Sequence, residues 1–209
     1  MHLIKQLVLL VLICCLTLPV AVAQESSVSY SADYTMETAE MAQQGRIYVA
    51  PGKERREMKM EGMTMINIRR EDLGKMWMLM PGEQMYMEMK LGEKDPKQMA
   101  SDNPDDYAVE MTEVGPELFD GVETIKQKVI MTGQDGSKMG GFWWITADGI
   151  TIKMDMLALV EGGKMRLKQV LSNIVLGPPD PSLFEIPPGY MNMSMGFSQH
   201  TSALPIGDS

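Results

Sequence analysis

Methionine recurs at every second position in six places along this chain. The runs are Met58-Lys-Met60, Met63-Thr-Met65, Met76-Trp-Met78-Leu-Met80, Met85-Tyr-Met87-Glu-Met89, Met154-Asp-Met156 and Met191-Asn-Met193-Ser-Met195. A period of two is the strand period, so each run stacks thioethers on one face of a β-sheet. Methionine supplies 23 of the 209 residues, which makes soft, deformable apolar faces a large part of what the chain can build.

The rest of the chain has the same rhythm. Strands are expected at 28–37, 43–49, 55–61, 63–69, 75–80, 85–90, 108–114, 123–132, 138–146, 150–159 and 164–175. Pro51-Gly52, Glu61-Gly62, Pro81-Gly82, Asp135-Gly136, Asp148-Gly149 and Gly162-Gly163 separate them. Short strands joined by tight turns predict an all-β fold with minor α content, laid out as an antiparallel meander. One helical turn is expected within 97–101 and another around Thr38–Ala42.

One hairpin can be taken to residue level. Lys75–Met80 and Met85–Lys90 flank Pro81-Gly82-Glu83-Gln84. A four-residue loop pairs Met80 with Met85, Met78 with Met87 and Met76 with Met89. A two-residue loop pairs Met78 with Met85 and Met76 with Met87. Both place methionine opposite methionine, with Trp77, Leu79 and Tyr86 on the other face. A smaller ladder follows if Glu61-Gly62 turns, with Met60 facing Met63 and Met58 facing Met65.

The N-terminus reads as an export signal. Lys5 precedes an apolar run from Leu7 to Leu18, and Ala21-Val22-Ala23 is an A-x-A cleavage signature. The run is shorter than the roughly 20 residues a spanning helix needs. Cleavage between Ala23 and Gln24 and a periplasmic location are therefore expected. Cys14 and Cys15 both lie inside that signal, so the mature chain has neither disulfides nor thiol chemistry. Removing Lys5 leaves 18 basic residues against 28 acidic ones, a formal charge of 18 − 28 = −10. Such a balance argues against nucleic acid and against adhesion to anionic headgroups. We expect one domain over 24–190, a loosely ordered tail over 191–209, and a monomer.

Four segments in order resemble a known family. Pro179-Asp-Pro-Ser-Leu-Phe-Glu-Ile-Pro-Pro-Gly-Tyr190 resembles the "DPSLFxxPxGY" ending of exported bacterial proteins. Met76-Trp-Met-Leu-Met-Pro followed by Met85-Tyr, Gly45-Arg-Ile-Tyr-Val-Ala-Pro-Gly-Lys, and Gly115-Pro-Glu-Leu-Phe-Asp-Gly-Val-Glu-Thr resemble their earlier steps. The family is the LolA/LolB-like superfamily of periplasmic lipoprotein carriers, of which this chain looks like a short branch. The resemblance implies a strongly curved antiparallel sheet, an unclosed half-barrel around an apolar cavity, partly lidded by helices. The chain departs from the pattern in having little helical sequence and methionine in place of aliphatic residues.

Catalysis has no foothold in the sequence. The mature chain retains only His200, in the tail, which removes Ser-His and Cys-His pairs and His/Cys zinc sites. Asp102-Asn-Pro-Asp-Asp106 lacks the spacing of a calcium loop and reads as a solvated acidic stretch. The basic residues Lys53, Arg55, Arg56, Lys59, Arg69 and Arg70 read as a solvated strand face or as contacts for an acidic partner or headgroup. No cofactor is called for.

The candidate site is the methionine face: Met76, Met78, Met80, Met85, Met87 and Met89, with Met58, Met60, Met63 and Met65. Three roles stand open. The leading one is an apolar surface, on a non-enzymatic carrier, for a lipid or lipid-linked ligand. The second is a soft-metal site for Cu(I), with Met78, Met80, Met85 and Met87 as thioether ligands. The third is core packing within a structural or interaction module of the cell envelope, with another envelope protein as partner.

Overall fold

The computed structural model describes residues 28–193, save 40, 61, 92–106, 134–135 and 161–162. The proposed export signal, the helical turn at 97–101, the acidic stretch and His200 lie outside the described residues. Twelve strands form one curved sheet that hydrogen bonds do not close. They are β1 (Tyr30–Glu37), β2 (Ala42–Ala50), β3 (Lys53–Met60), β4 (Met63–Arg70), β5 (Lys75–Met80), β6 (Met85–Lys90), β7 (Tyr107–Phe119), β8 (Val122–Gly133), β9 (Lys138–Ile145), β10 (Thr151–Val160), β11 (Gly163–Leu176) and β12 (Met191–Asn192).

The sheet order corrects the expected single meander. It runs β12-β6-β5-β4-β3-β2-β1-β11-β10-β9-β8-β7. Two meanders, β1–β6 and β7–β11, meet where β1 pairs antiparallel with β11, from Tyr30 opposite Leu176 to Glu37 opposite Lys168. Strands β6 and β7 follow each other in sequence yet sit towards opposite edges. Turn signals specify neighbours within a meander and carry no information about this seam.

Two further expectations are corrected. No helix forms at Thr38–Ala42. There the Thr38 N–H donates to the Met41 carbonyl at 2.8 Å, and the Met41 N–H donates to Thr38 Oγ1 at 3.2 Å. A helix runs its bonds from the later N–H to the earlier carbonyl; the bond from Thr38 to Met41 is instead the closing bond of a hairpin. The strand expected at Ala108–Val114 continues to Phe119, past a register shift at which Val114 is the extra residue and after which Gly115 and Pro116 pair with Lys126 and Ile125. Among the described residues there is no α-helix, only short 3₁₀ turns such as Glu71–Leu73 and Pro181–Phe184.

In place of a helical lid, the C-terminal segment packs on one face of β3–β6. Asp180 caps the 3₁₀ turn by accepting from the Ser182 N–H at 2.9 Å. Phe184, 1% exposed, then enters a cluster with Ile66, Ile68, Trp77 and Leu79, flanked by Tyr48, Tyr86, Ile186 and Tyr190. Two arginines tie this segment to the sheet: Arg55 donates to the Leu183 carbonyl and Arg70 to that of Phe184. The chain ends its described course as β12, whose Met191 and Asn192 pair in parallel with Met85 and Tyr86 of β6. The expected tail thus begins with two residues that belong to the sheet.

The opposite face holds a second core. Tyr30, Ala32 and Tyr34 of β1 and Ile47 of β2 cluster with Trp144 of β9, Ile150, Ile152 of β10 and Leu171 of β11. Side chains from both meanders share this cluster, so the sheet curls towards this face.

Candidate functional site

Register places the methionines. The hairpin β5–β6 pairs Met76 with Met89, Met78 with Met87 and Met80 with Met85, the arrangement of the four-residue loop. Strands β3 and β4 add Met58 opposite Met65 and Met60 opposite Met63. Pairing between β4 and β5 sets Asn67 against Met78 and Arg69 against Met76, so both ladders lie on one face. By alternation, that face is the one bearing Tyr34 and Ile47, reached through Tyr34–Gly45–Met58 and Ala32–Ile47–Arg56.

All six methionines of the β5–β6 ladder are half-buried, whereas Trp77 and Leu79, between them on the other face, are fully packed. Met58 and Met65 are half-buried too, and Met63 is 68% exposed. Met58 also packs against the β1 core cluster. The compact core of this half of the sheet is therefore the Trp77 face. The thioethers form a separate, partly open surface.

Polar residues sit among the methionines, where strand parity put them. Successive rows across β3–β6 read Glu54–Arg69–Met76–Met89 and Arg56–Asn67–Met78–Met87. Alternation splits the basic cluster between two faces. Each of its arginines pairs with a carboxylate two residues away, on the same side of the chain: Arg55 with Glu57, Arg56 with Glu54, Arg69 with Glu71 and Arg70 with Asp72. The single basic face suggested by the sequence does not exist.

Arg56 reaches across the methionine-bearing face. Its guanidinium lies 5.8 Å from the centre of the Tyr34 ring, and Nη1 donates to Gln169 Oε1 at 3.0 Å. Arg56 is three strand steps from β11 and, by register, four residues along from Gln169. On a flat sheet those steps amount to about 19 Å between Cα atoms, beyond the reach of the two side chains. The bond therefore requires strong curvature, and the methionine face is the concave one. Burial works against the Arg56 charge, but Glu54, Tyr34 and Tyr30 outweigh it and raise its pKa. Burial first, and Glu54 second, pushes the Tyr30 phenol up to about 12.

Gly45 makes the Tyr34 packing possible. A Cβ there would sit 1.8 Å from the Glu57 carbonyl oxygen and 2.9 Å from the Tyr34 ring. The sequence singles out Arg56 only as one of a basic cluster, and does not single out Asn67, Tyr34 or Gln169. Asn67 and Arg56 were recoverable by parity, two positions from Met65 and Met58. Tyr34 follows from the β1–β2–β3 register, whereas Gln169 depends on the β1–β11 seam. Among the described residues no group of three or more His, Cys, Asp or Glu side chains is placed to hold a metal ion.

Comparison with known proteins gives a fold and a family. An uncharacterized conserved protein of Thermus thermophilus superposes with a TM-score of 0.55 at 14% identity, over 81% of this chain and 93% of that one. Similar solved structures include the Pseudomonas aeruginosa MucA/MucB complex (TM-score 0.47, 15% identity, 77% of this chain and 56% of that one). They also include the LolA superfamily protein NE2245 of Nitrosomonas europaea (TM-score 0.38, 11% identity, 78% and 91%). A search of curated proteins finds no match. Residues 32–148, more than half of the chain, match the domain of unknown function DUF4412, and the chain belongs to that family.

Proposed function

We propose that this protein is a non-enzymatic, exported binding protein whose concave methionine face holds the apolar chain of a lipid or lipid-linked ligand. The observation that carries the reading is the half-burial of Met76, Met78, Met80, Met85, Met87 and Met89 on the concave side, while the packed core lies behind them. A surface of unbranched thioethers adapts to a flexible chain at small cost. The export signature over 1–23 and the LolA-like segments support a ligand of the cell envelope.

Native mass spectrometry of protein purified from its own envelope, joined to titration with a fluorescent fatty acid, tests the reading. A co-purifying adduct of lipid mass and saturable uptake of the probe are expected. An adduct-free protein that takes up no probe would remove it.

A further inference from the structure

The methionine face has a polar end, and its unmet hydrogen bonds define a head group. Among the described residues, the Tyr34 hydroxyl and Asn67 Oδ1 are buried with no hydrogen-bond partner. Tyr34 is 2% exposed. Both flank Arg56: Asn67 is its cross-strand partner on β4, and the Tyr34 ring lies beneath its guanidinium. On its other side Asn67 opposes Met78, which opposes Met87. Asn67 thus adjoins the ladder, and Tyr34 lies on the same concave face on the far side of Arg56. An unmade hydrogen bond at a buried atom is destabilising and calls for a partner.

The charges nearby narrow what that partner is. Arg56 is held by Glu54 and Arg69 by Glu71, so each cation is already balanced by a carboxylate. A phosphate or carboxylate head would find no uncompensated positive charge on these two side chains. Asn67 Oδ1 accepts only, and the Tyr34 hydroxyl donates or accepts. An uncharged group that both donates and accepts completes the set.

We propose that the ligand is an amphiphile with an uncharged, hydroxyl-bearing head, its chain along the methionine ladder and its hydroxyl against Tyr34 and Asn67. This rests on the lipid-binding reading above and specifies the class of lipid.

Three probes of one chain length test it by dye displacement: dodecanol, its methyl ether, which has no hydroxyl to donate, and dodecanoate. The alcohol is expected to bind about tenfold more tightly than either other probe, the worth of one or two hydrogen bonds. In Tyr34→Phe and in Asn67→Leu the alcohol-to-ether ratio falls towards one. The melting temperature of each variant stays level or rises, because each loses an unpaired buried atom. Equal affinity for alcohol and ether, a preference for dodecanoate, or a ratio unmoved in both variants overturns the head-group assignment while chain binding stands. A large drop in melting temperature also overturns it, since the atoms would then be satisfied within the protein. If none of the three probes binds, the lipid-binding reading itself falls.

Discussion

Arg70 Nη1 donates to the main-chain carbonyl oxygen of Phe184 at 3.1 Å, and the same guanidinium reaches Glu185 at 2.6 Å and Asp72 at 2.8 Å. Together with Arg55, this buried side chain fastens the C-terminal segment to the convex face. Phe184→Ala should lower stability by about 3–5 kcal/mol, as expected for emptying a buried aromatic site. Arg70→Ala should cost about 2 kcal/mol, chiefly through the stranded carbonyl, since Asp72 and Glu185 are exposed enough for solvent to screen their ion pairs. Urea unfolding gives both values, and limited proteolysis between Gly177 and Tyr190 should accelerate in step. Stability unchanged in Phe184→Ala would mean the segment is not docked.

Tyr30 supplies an alkaline limb. Its phenol is raised from 10.0 to about 12 in the folded protein. A raised folded value means stability fully present below pH 10 and lost as the pH rises towards 12. Chemical denaturation across that window should show the decline, and Tyr30→Phe should flatten it.

Carboxylates set the acid limb with the opposite sign. Arg70 holds Asp72 below its ordinary 3.8, Arg166 does the same for Asp155, and Lys75 followed by the Trp77 indole holds Glu88 below 4.5. Depressed folded values give stability that is present above those figures and lost as the pH falls through the folded values. Denaturation midpoints should therefore be flat near neutrality and drop below about pH 4. Asp155→Asn should make that drop shallower; an identical acid profile would count against the Arg166 pairing.

Gly45→Ala tests the close approach of β2, β3 and Tyr34. The new methyl cannot coexist with the Glu57 carbonyl, and a loss of about 3 kcal/mol is expected from overpacking. Thermal melts decide this. A melting temperature within a degree or two of the parent would contradict the packing.

Replacing both Met78 and Met87 with leucine separates grease from copper. Leucine conserves volume and apolarity, so the fold should survive at under about 1.5 kcal/mol per site. Uptake of fluorescent fatty acid should persist, because the face remains apolar. If the parent instead binds Cu(I) tightly in competition with a chelator and the double variant does not, the ladder is a metal site and the lipid proposal fails.

The strands and the hairpin ladder were legible because both rest on local rules. Alternation sets faces, and an even loop sets Met78 against Met87. The β1–β11 seam was not legible, since Tyr30 and Leu176 carry no mark of each other in the sequence. The convex latch was equally hidden: Arg70 reads as one more surface cation until Phe184 is placed against its strand. Asn67 lay between the two cases. Its parity with Met65 was visible, but its missing hydrogen bond is a property of the assembled face.

The seam also governs how the chain acquires its shape. Each meander closes hairpins between residues close in sequence, which is fast, whereas Tyr30 meets Leu176 only after a loop of 146 positions is closed. The N-terminal meander can form while β1 still presents an uncovered edge, and an uncovered edge templates aggregation. A chain arriving N-terminus first is thus exposed to mispairing until its last long strand arrives, and the seam is where a chaperone or a truncation would have the most effect.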